Sequence, residues 1–195
     1  MDMHGVRIAA VAGDGVEESE FTEPMRAFRD AGARVDVLAA GESKSRRKIR
    51  AFQHLDPSTE IPADGTIDDA NPDDYDAVLI PGGRSPDMIR TDDAVLRFVR
   101  AMDAARKPML VICHGPQVLI SAGLVEGRRL ASWPSVAVDV ENAGGTWVDQ
   151  EAVRDENLVT SRKPADIPAF IRESARAVLE SRHARTAVTP EHAPA

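Results

Sequence analysis

Met109-Leu110-Val111-Ile112-Cys113-His114-Gly115-Pro116-Gln117 decides the fold. Four apolar residues in a row, Met109–Ile112, fit a short strand buried on both faces. From Gly115 to Ala122 the pattern is helical, and Gly123 supplies a stop signal. The cysteine therefore falls between a buried strand and a helix start, the strand-turn-helix context that a nucleophile elbow requires. Gly115 permits the tight backbone, and the residue beside the cysteine can offer its N–H to an oxyanion. A helix N-terminus favours the thiolate, which is the reactive form. The full elbow pattern has glycine two residues before the nucleophile, and here that position is Val111. Position alone also suits a small buried cysteine that fills core space.

Outward from this block, strands and helices alternate. Val6–Ala12 is an apolar run ending at Gly13-Asp14-Gly15. Phe21, Met25, Phe28 and Ala31 recur at helical spacing from Glu17 to Ala31, with Glu17, Glu18, Glu20 and Glu23 crowding the helix start, and Gly32 closes the helix. Arg34–Ala39 alternates as a strand. Lys44–Arg50 is a basic run that reads as a solvated hairpin or loop. Asp76–Ile80 is a further buried strand, stopped by Pro81-Gly82-Gly83, and Val95–Ala105 is an amphipathic helix. Short strands follow around Arg129–Ser132, Thr146–Val148 and Leu158–Ser161, with a helical stretch near Val136–Ala143. Pro164 opens a last helix, Ala165–Leu179. Without an internal repeat or linker, the chain reads as one domain over residues 1–185. A tail rich in Pro, Ala and Thr covers residues 186–195. The alternation implies an α/β fold with a mostly parallel sheet covered on both faces.

Composition narrows the function classes. The 195 residues are 43% hydrophobic with a formal net charge of -8. That balance argues against a general nucleic-acid binder or an anionic-membrane binder, both of which need a positive surface. No apolar run approaches the roughly 20 residues that cross a bilayer. Met1 to Arg7 leads into a short apolar stretch with no small-residue cleavage site, so no signal peptide is expected. A single cysteine forbids an internal disulfide and any multi-cysteine metal site. The expected compartment is the reducing cytoplasm, and no motif asks for a metal or cofactor.

In such sheets ligands bind beyond the carboxyl ends of the strands. Three strand ends stand out: Gly13-Asp14-Gly15-Val16-Glu17, Pro81-Gly82-Gly83-Arg84, and Ile112-Cys113-His114-Gly115. The topology brings all three to one rim. His114 is adjacent to the nucleophile, yet neighbouring residues on an elbow point different ways, so a structural histidine and a general base are both consistent with its place. Glu17 reads equally as a helix-start acid. Gly82-Gly83 is a turn, or the source of a second N–H for an oxyanion hole.

Together these blocks resemble the PfpI family, the intracellular-protease-like branch of the class I glutamine amidotransferase-like superfamily. The resemblance spans Val6 to Leu179. It is carried by Asp14-Gly15-Val16-Glu17-Glu18 with Pro24, by Tyr75-Asp76-Ala77-Val78-Leu79-Ile80-Pro81-Gly82-Gly83-Arg84, by Ile112-Cys113-His114-Gly115-Pro116-Gln117 with Ser121-Ala122-Gly123, and by Ser161-Arg162-Lys163-Pro164-Ala165-Asp166. It implies a flavodoxin-like three-layer sandwich working as a homodimer or larger assembly. It implies Cys113 as nucleophile, Glu17 as a protonated carboxyl bonded to its sulfur, His114 as acid and base, and the backbone N–H groups of Gly83 and His114 as the oxyanion hole. A glutamate from a neighbouring subunit orients the histidine in family proteases, and the matching residue here is Asp87, one methylene shorter. Trp133 stands where the family often has tyrosine.

The resemblance implies a stress-related, cysteine-dependent hydrolase acting on a small carbonyl or peptide substrate, as peptidase, deglycase or glyoxalase. The alternative is a non-enzymatic redox sensor or chaperone that uses oxidation of Cys113. A glutamine amidotransferase domain would need a late His and Glu pair to serve the cysteine. Only His183 and His192 lie there, both in or near the tail, so that reading is rejected.

Overall fold

The apolar runs become the inner strands of one sheet because each buries side chains on both faces. The computed structural model describes residues 2–187. In chain order the elements are β1 (Arg7–Ala12), β2 (Val16–Glu17), α1 (Glu18–Asp30), β3 (Arg34–Ala39), β4 (Lys48–Gln53), β5 (Asp56–Pro62), β6 (Gly65–Thr66), β7 (Ala77–Ile80), α2 (Ser85–Ile89), α3 (Asp93–Ala104), β8 (Met109–Ile112), α4 (Pro116–Ala122), β9 (Arg129–Leu130), α5 (Ala137–Asn142), β10 (Thr146–Trp147), β11 (Val153–Asp155), β12 (Leu158–Ser161) and α6 (Ile167–Ala187).

Seven strands form the central sheet in the order β11-β12-β8-β7-β1-β3-β6. Every pairing is parallel except that of the edge strand β11 with β12. Side chains along β1 divide by parity. Ile8, Ala10 and Ala12 join a core with Phe21 and Phe28 of α1 and Phe170 of α6. Ala9 and Val11 join a second core with Phe98 and Met102 of α3 and Leu119 of α4. The result is the expected three-layer sandwich.

The sheet order places the crevice. From β1 the chain moves outward to β3 on one side, and later returns to β7 on the other side of β1. The loops after β1 and β7 therefore diverge, which opens a cleft at the carboxyl ends of these strands. β8 lies beside β7, so its elbow faces the same cleft.

The basic run, expected as a hairpin or loop, leads into a hairpin: Lys48–Arg50 open β4, and the β4–β5 pair joins β2 rather than the main sheet. Its two-residue turn is His54-Leu55, and His54 adopts φ +58°. β5, β11 and α2 were not expected. α6 runs to Ala187, two residues into the stretch read as tail, and the rest of that stretch lies outside the described residues.

Phe170 is fully buried between α6 and the sheet. Phe170→Ala should lower stability by about 3–5 kcal/mol, because a cavity adds to the lost transfer energy. The check is a urea titration, in which the midpoint falls while the slope is unchanged.

Candidate functional site

Cys113 sits at the end of β8 with φ +63°, a left-handed conformation that a residue with a side chain rarely adopts. Neighbours fix it from several sides. Its N–H donates to Ser161 O at 3.0 Å, and its carbonyl accepts from Trp133 N at 2.9 Å. At Gly115 a Cβ would stand 2.6 Å from Val111 Cγ1 and 2.8 Å from Ile80 O, so only glycine lets the chain turn into α4 here. The elbow forms although Val111 replaces the usual first glycine.

The second strand end closes on the first. Gly83 has φ +76° and bridges to Val16, and Glu17 N–H donates to Gly82 O at 3.3 Å. A Cβ on Gly83 would lie 2.4 Å from both Glu17 N and Gly15 O, which leaves no room for any side chain. The backbone N–H groups of Gly83 and His114 lie close enough to the Cys113 sulfur to favour its charged form. The three strand ends thus meet on one rim.

The carboxyl beside the sulfur is that of Glu20. Gly82 N–H donates to Glu20 Oε2 at 3.0 Å, and a Cβ on Gly82 would meet both Glu20 Oε2 and Cys113 Cβ, which places the carboxyl against the thiol, where the two groups shift each other's titration. Oε1 is buried without a hydrogen-bond partner among the described residues. This corrects the expectation for Glu17. Glu17 lies at the end of β2, where its side chain turns towards the hairpin: Oε2 accepts from His54 N–H at 2.9 Å and Oε1 from Ser19 Oγ at 3.3 Å. It lines the cleft but holds the hairpin turn rather than the thiol. The missed signal was helical: Glu20 shares the face of Pro24 and Phe28, four and eight residues on, all buried. A glutamate on the apolar face of a helix is a buried carboxyl by construction.

Burial, with the Glu17 carboxylate nearby, raises the Glu20 carboxyl from the usual 4.5 to about 8. It is therefore protonated at neutral pH. Burial, and then Glu20, push the Cys113 thiol upward, while the N–H groups of Gly83 and His114 pull it down. The upward push is the larger, contrary to the expectation that the helix start would favour a free thiolate. Cys113 is only 5% exposed, and α4 begins beyond Gly115, too far along to offset that burial. Charge on the sulfur is stabilised through the N–H groups of Gly83 and His114.

His114 does reach the sulfur, with Nδ1 3.3 Å from Sγ. Its ring stacks on Trp133 at 6.1 Å between centroids, and burial lowers its pKa, which favours the neutral imidazole. Asp87, on the short helix α2, is exposed and lines the same cleft. No carboxylate pairs with His114 among the described residues. The cleft has a volume of about 380 Å³, with Glu17, Glu20, Arg84, Cys113, His114 and Trp133 among its lining residues.

The comparisons with known proteins show the family and the fold. The model of the DJ-1/PfpI family matches residues 6–177. General stress protein 18 of Bacillus subtilis (strain 168) is 45% identical over 171 residues, covering 87% of this chain and 96% of that protein. Protein/nucleic acid deglycase 2 of Escherichia coli (strain K12) is 43% identical over 173 residues, with coverage of 87% and 96%. The crystal structure of Drosophila melanogaster DJ-1beta superposes with a TM-score of 0.77 at 26% identity, over 97% of this chain and 100% of that one.

Two outcomes are expected. Between about pH 4.5 and 8 the folded chain holds a proton on Glu20 that the unfolded chain releases, so this group makes stability fall as pH rises through that window. Glu20→Gln keeps an acceptor for Gly82 N–H and should remove that slope, read as urea midpoints from pH 5 to 8. Gly83→Ala should be poorly folded or inactive, because its Cβ meets only backbone. Retained activity in that variant would contradict the packing at the rim.

Proposed function

The chain belongs to the DJ-1/PfpI family, and from that membership and the Cys113 cleft we propose that it is a cysteine-dependent hydrolase or deglycase acting on carbonyl compounds in stress defence. One observation carries this reading: a single sulfur lining a cleft has an imidazole nitrogen 3.3 Å away, two backbone N–H groups close enough to favour its charge, and a protonated carboxyl beside it.

The chemistry follows from those positions. Neutral His114 accepts the thiol proton at Nδ1 as Sγ bonds the substrate carbonyl carbon. The carbonyl π pair moves onto oxygen, where the N–H groups of Gly83 and His114 receive the charge. With an amide-like substrate, collapse of the adduct expels an amine that takes the proton from His114 and leaves a thioester. Water then hydrolyses the thioester to an acid and restores the thiol. Glu20 stays protonated beside the sulfur and adds no repulsive charge.

His114 lacks a carboxylate partner within the described chain, and an imidazole that moves protons needs one to fix its tautomer. The reading therefore includes a homodimer or larger assembly in which the partner subunit's Asp87 faces His114. The exposed apolar side chains of Leu55 and Trp133 on the cleft support such an interface. Aspartate is one methylene shorter than glutamate, which favours small dicarbonyl substrates, whose attack needs no amine leaving group, over peptides. A working thiol nucleophile fits the reducing cytoplasm. No helix among the described residues is long and apolar enough to cross a membrane.

The test is steady-state kinetics with methylglyoxal and a fluorogenic peptide. Cys113→Ser should abolish both activities, and His114→Ala should lower kcat about 10²-fold. Asp87→Glu should raise peptide cleavage more than dicarbonyl turnover. Full activity in Cys113→Ser would overturn the reading.

A further inference from the structure

The Arg84 guanidinium lies over the Phe52 ring, 4.7 Å from its centroid, and lines the cleft floored by Cys113. Among the described residues its guanidinium makes no ion pair or hydrogen bond. We propose that Arg84 is a specificity-determining residue, which takes the carboxylate or phosphate of a substrate whose anionic group lies a few bonds from the carbonyl carbon attacked by Cys113. This rests on the reading of Cys113 as a nucleophile towards carbonyls.

Position is the first support. Gly83, whose N–H lies near the sulfur, directly precedes Arg84, and Arg84 N–H is pinned to Gly15 O at 2.7 Å. The guanidinium therefore projects from the residue next to the proposed oxyanion donor across to β4. Preorganisation is the second. The cation–π contact with Phe52 restricts the planar fork, and no protein acceptor among the described residues takes its N–H groups, which a bidentate anion can then use.

The third support is the state of the other charges. Among the described residues that line the cleft, Arg84 is the one arginine or lysine, whereas Arg46 is paired with Asp14, and Arg162 with Asp149 and Asp166. Both oxygens of Glu17 already accept hydrogen bonds. Glu20 and His114 are neutral near pH 7. Asp87 is the remaining carboxylate on the rim; it is exposed and forms no ion pair with Arg84. In a chain of net charge -8, an unpaired cation beside the nucleophile is the feature that would draw an anionic substrate.

The probes are a 2-oxoaldehyde with a terminal carboxylate, 4,5-dioxopentanoate, and its uncharged methyl ester. Calorimetry on Cys113→Ser, where chemistry is removed, should show the acid bound about tenfold more tightly than the ester, the size expected of a charge-assisted pair. Adding Arg84→Ala should abolish that preference, and Arg84→Lys should keep part of it. In the otherwise unchanged enzyme, Arg84→Ala should raise KM about tenfold for the acid and leave the ester within a factor of two. Equal affinities for acid and ester in Cys113→Ser, or equal losses for both in Arg84→Ala, would overturn the proposal. Failure of the nucleophile reading shows separately, as turnover that Cys113→Ser does not reduce.

Discussion

The left-handed backbone at Cys113 is the constraint on which the site depends. A side chain held at positive φ costs of order 1–3 kcal/mol and persists only where its surroundings over-determine it. Here β12 receives the cysteine N–H, the loop before α5 donates to its carbonyl, and Gly115 allows contact too close for any Cβ. Two of these restraints come from distant parts of the chain, so the Cys113 backbone is set by the tertiary fold together with its own turn. The same turn that strains the backbone places the His114 N–H near the sulfur and brings the imidazole within 3.3 Å.

Around that elbow the protein keeps charge scarce. The sulfur is buried, the adjacent carboxyl is protonated, and the imidazole is neutral at rest. Fixed dipoles of the peptide N–H groups at Gly83 and His114 are what greet a negative charge when it forms. On the reading of Cys113 as the nucleophile, a resting site of this kind would suppress idle thiolate chemistry and reserve its stabilisation for the oxygen or sulfur that becomes charged during attack.

Much of this was legible in residue order. The apolar runs gave the inner strands, and the glycines after them gave the turns; Met109–Ile112 is a strand to the residue. The family resemblance and the elbow pattern named Cys113, His114 and Gly83, and the fold puts those three around one sulfur. The acidic partner was misread because four glutamates compete within seven residues. Proximity to the turn favoured Glu17, whereas the helical face selects Glu20. The hairpin was only half visible: Asp56–Pro62 is almost wholly exposed, so it lacks the alternation that marks a half-buried strand. Nor could sequence spacing reveal that Arg84 stacks on Phe52, a contact between residues far apart in the chain.

Val16 joins the two halves of the cleft. It pairs with Ala51 in the hairpin and bridges to Gly83 at the oxyanion donor. The hairpin is thus wired by main chain to the Gly83 peptide, with a single residue between them. A force or a sequence change in the outer wall reaches the backbone beside Cys113 through that one ladder, so under the proposed chemistry the hairpin would tune reactivity together with recognition without disturbing the main sheet.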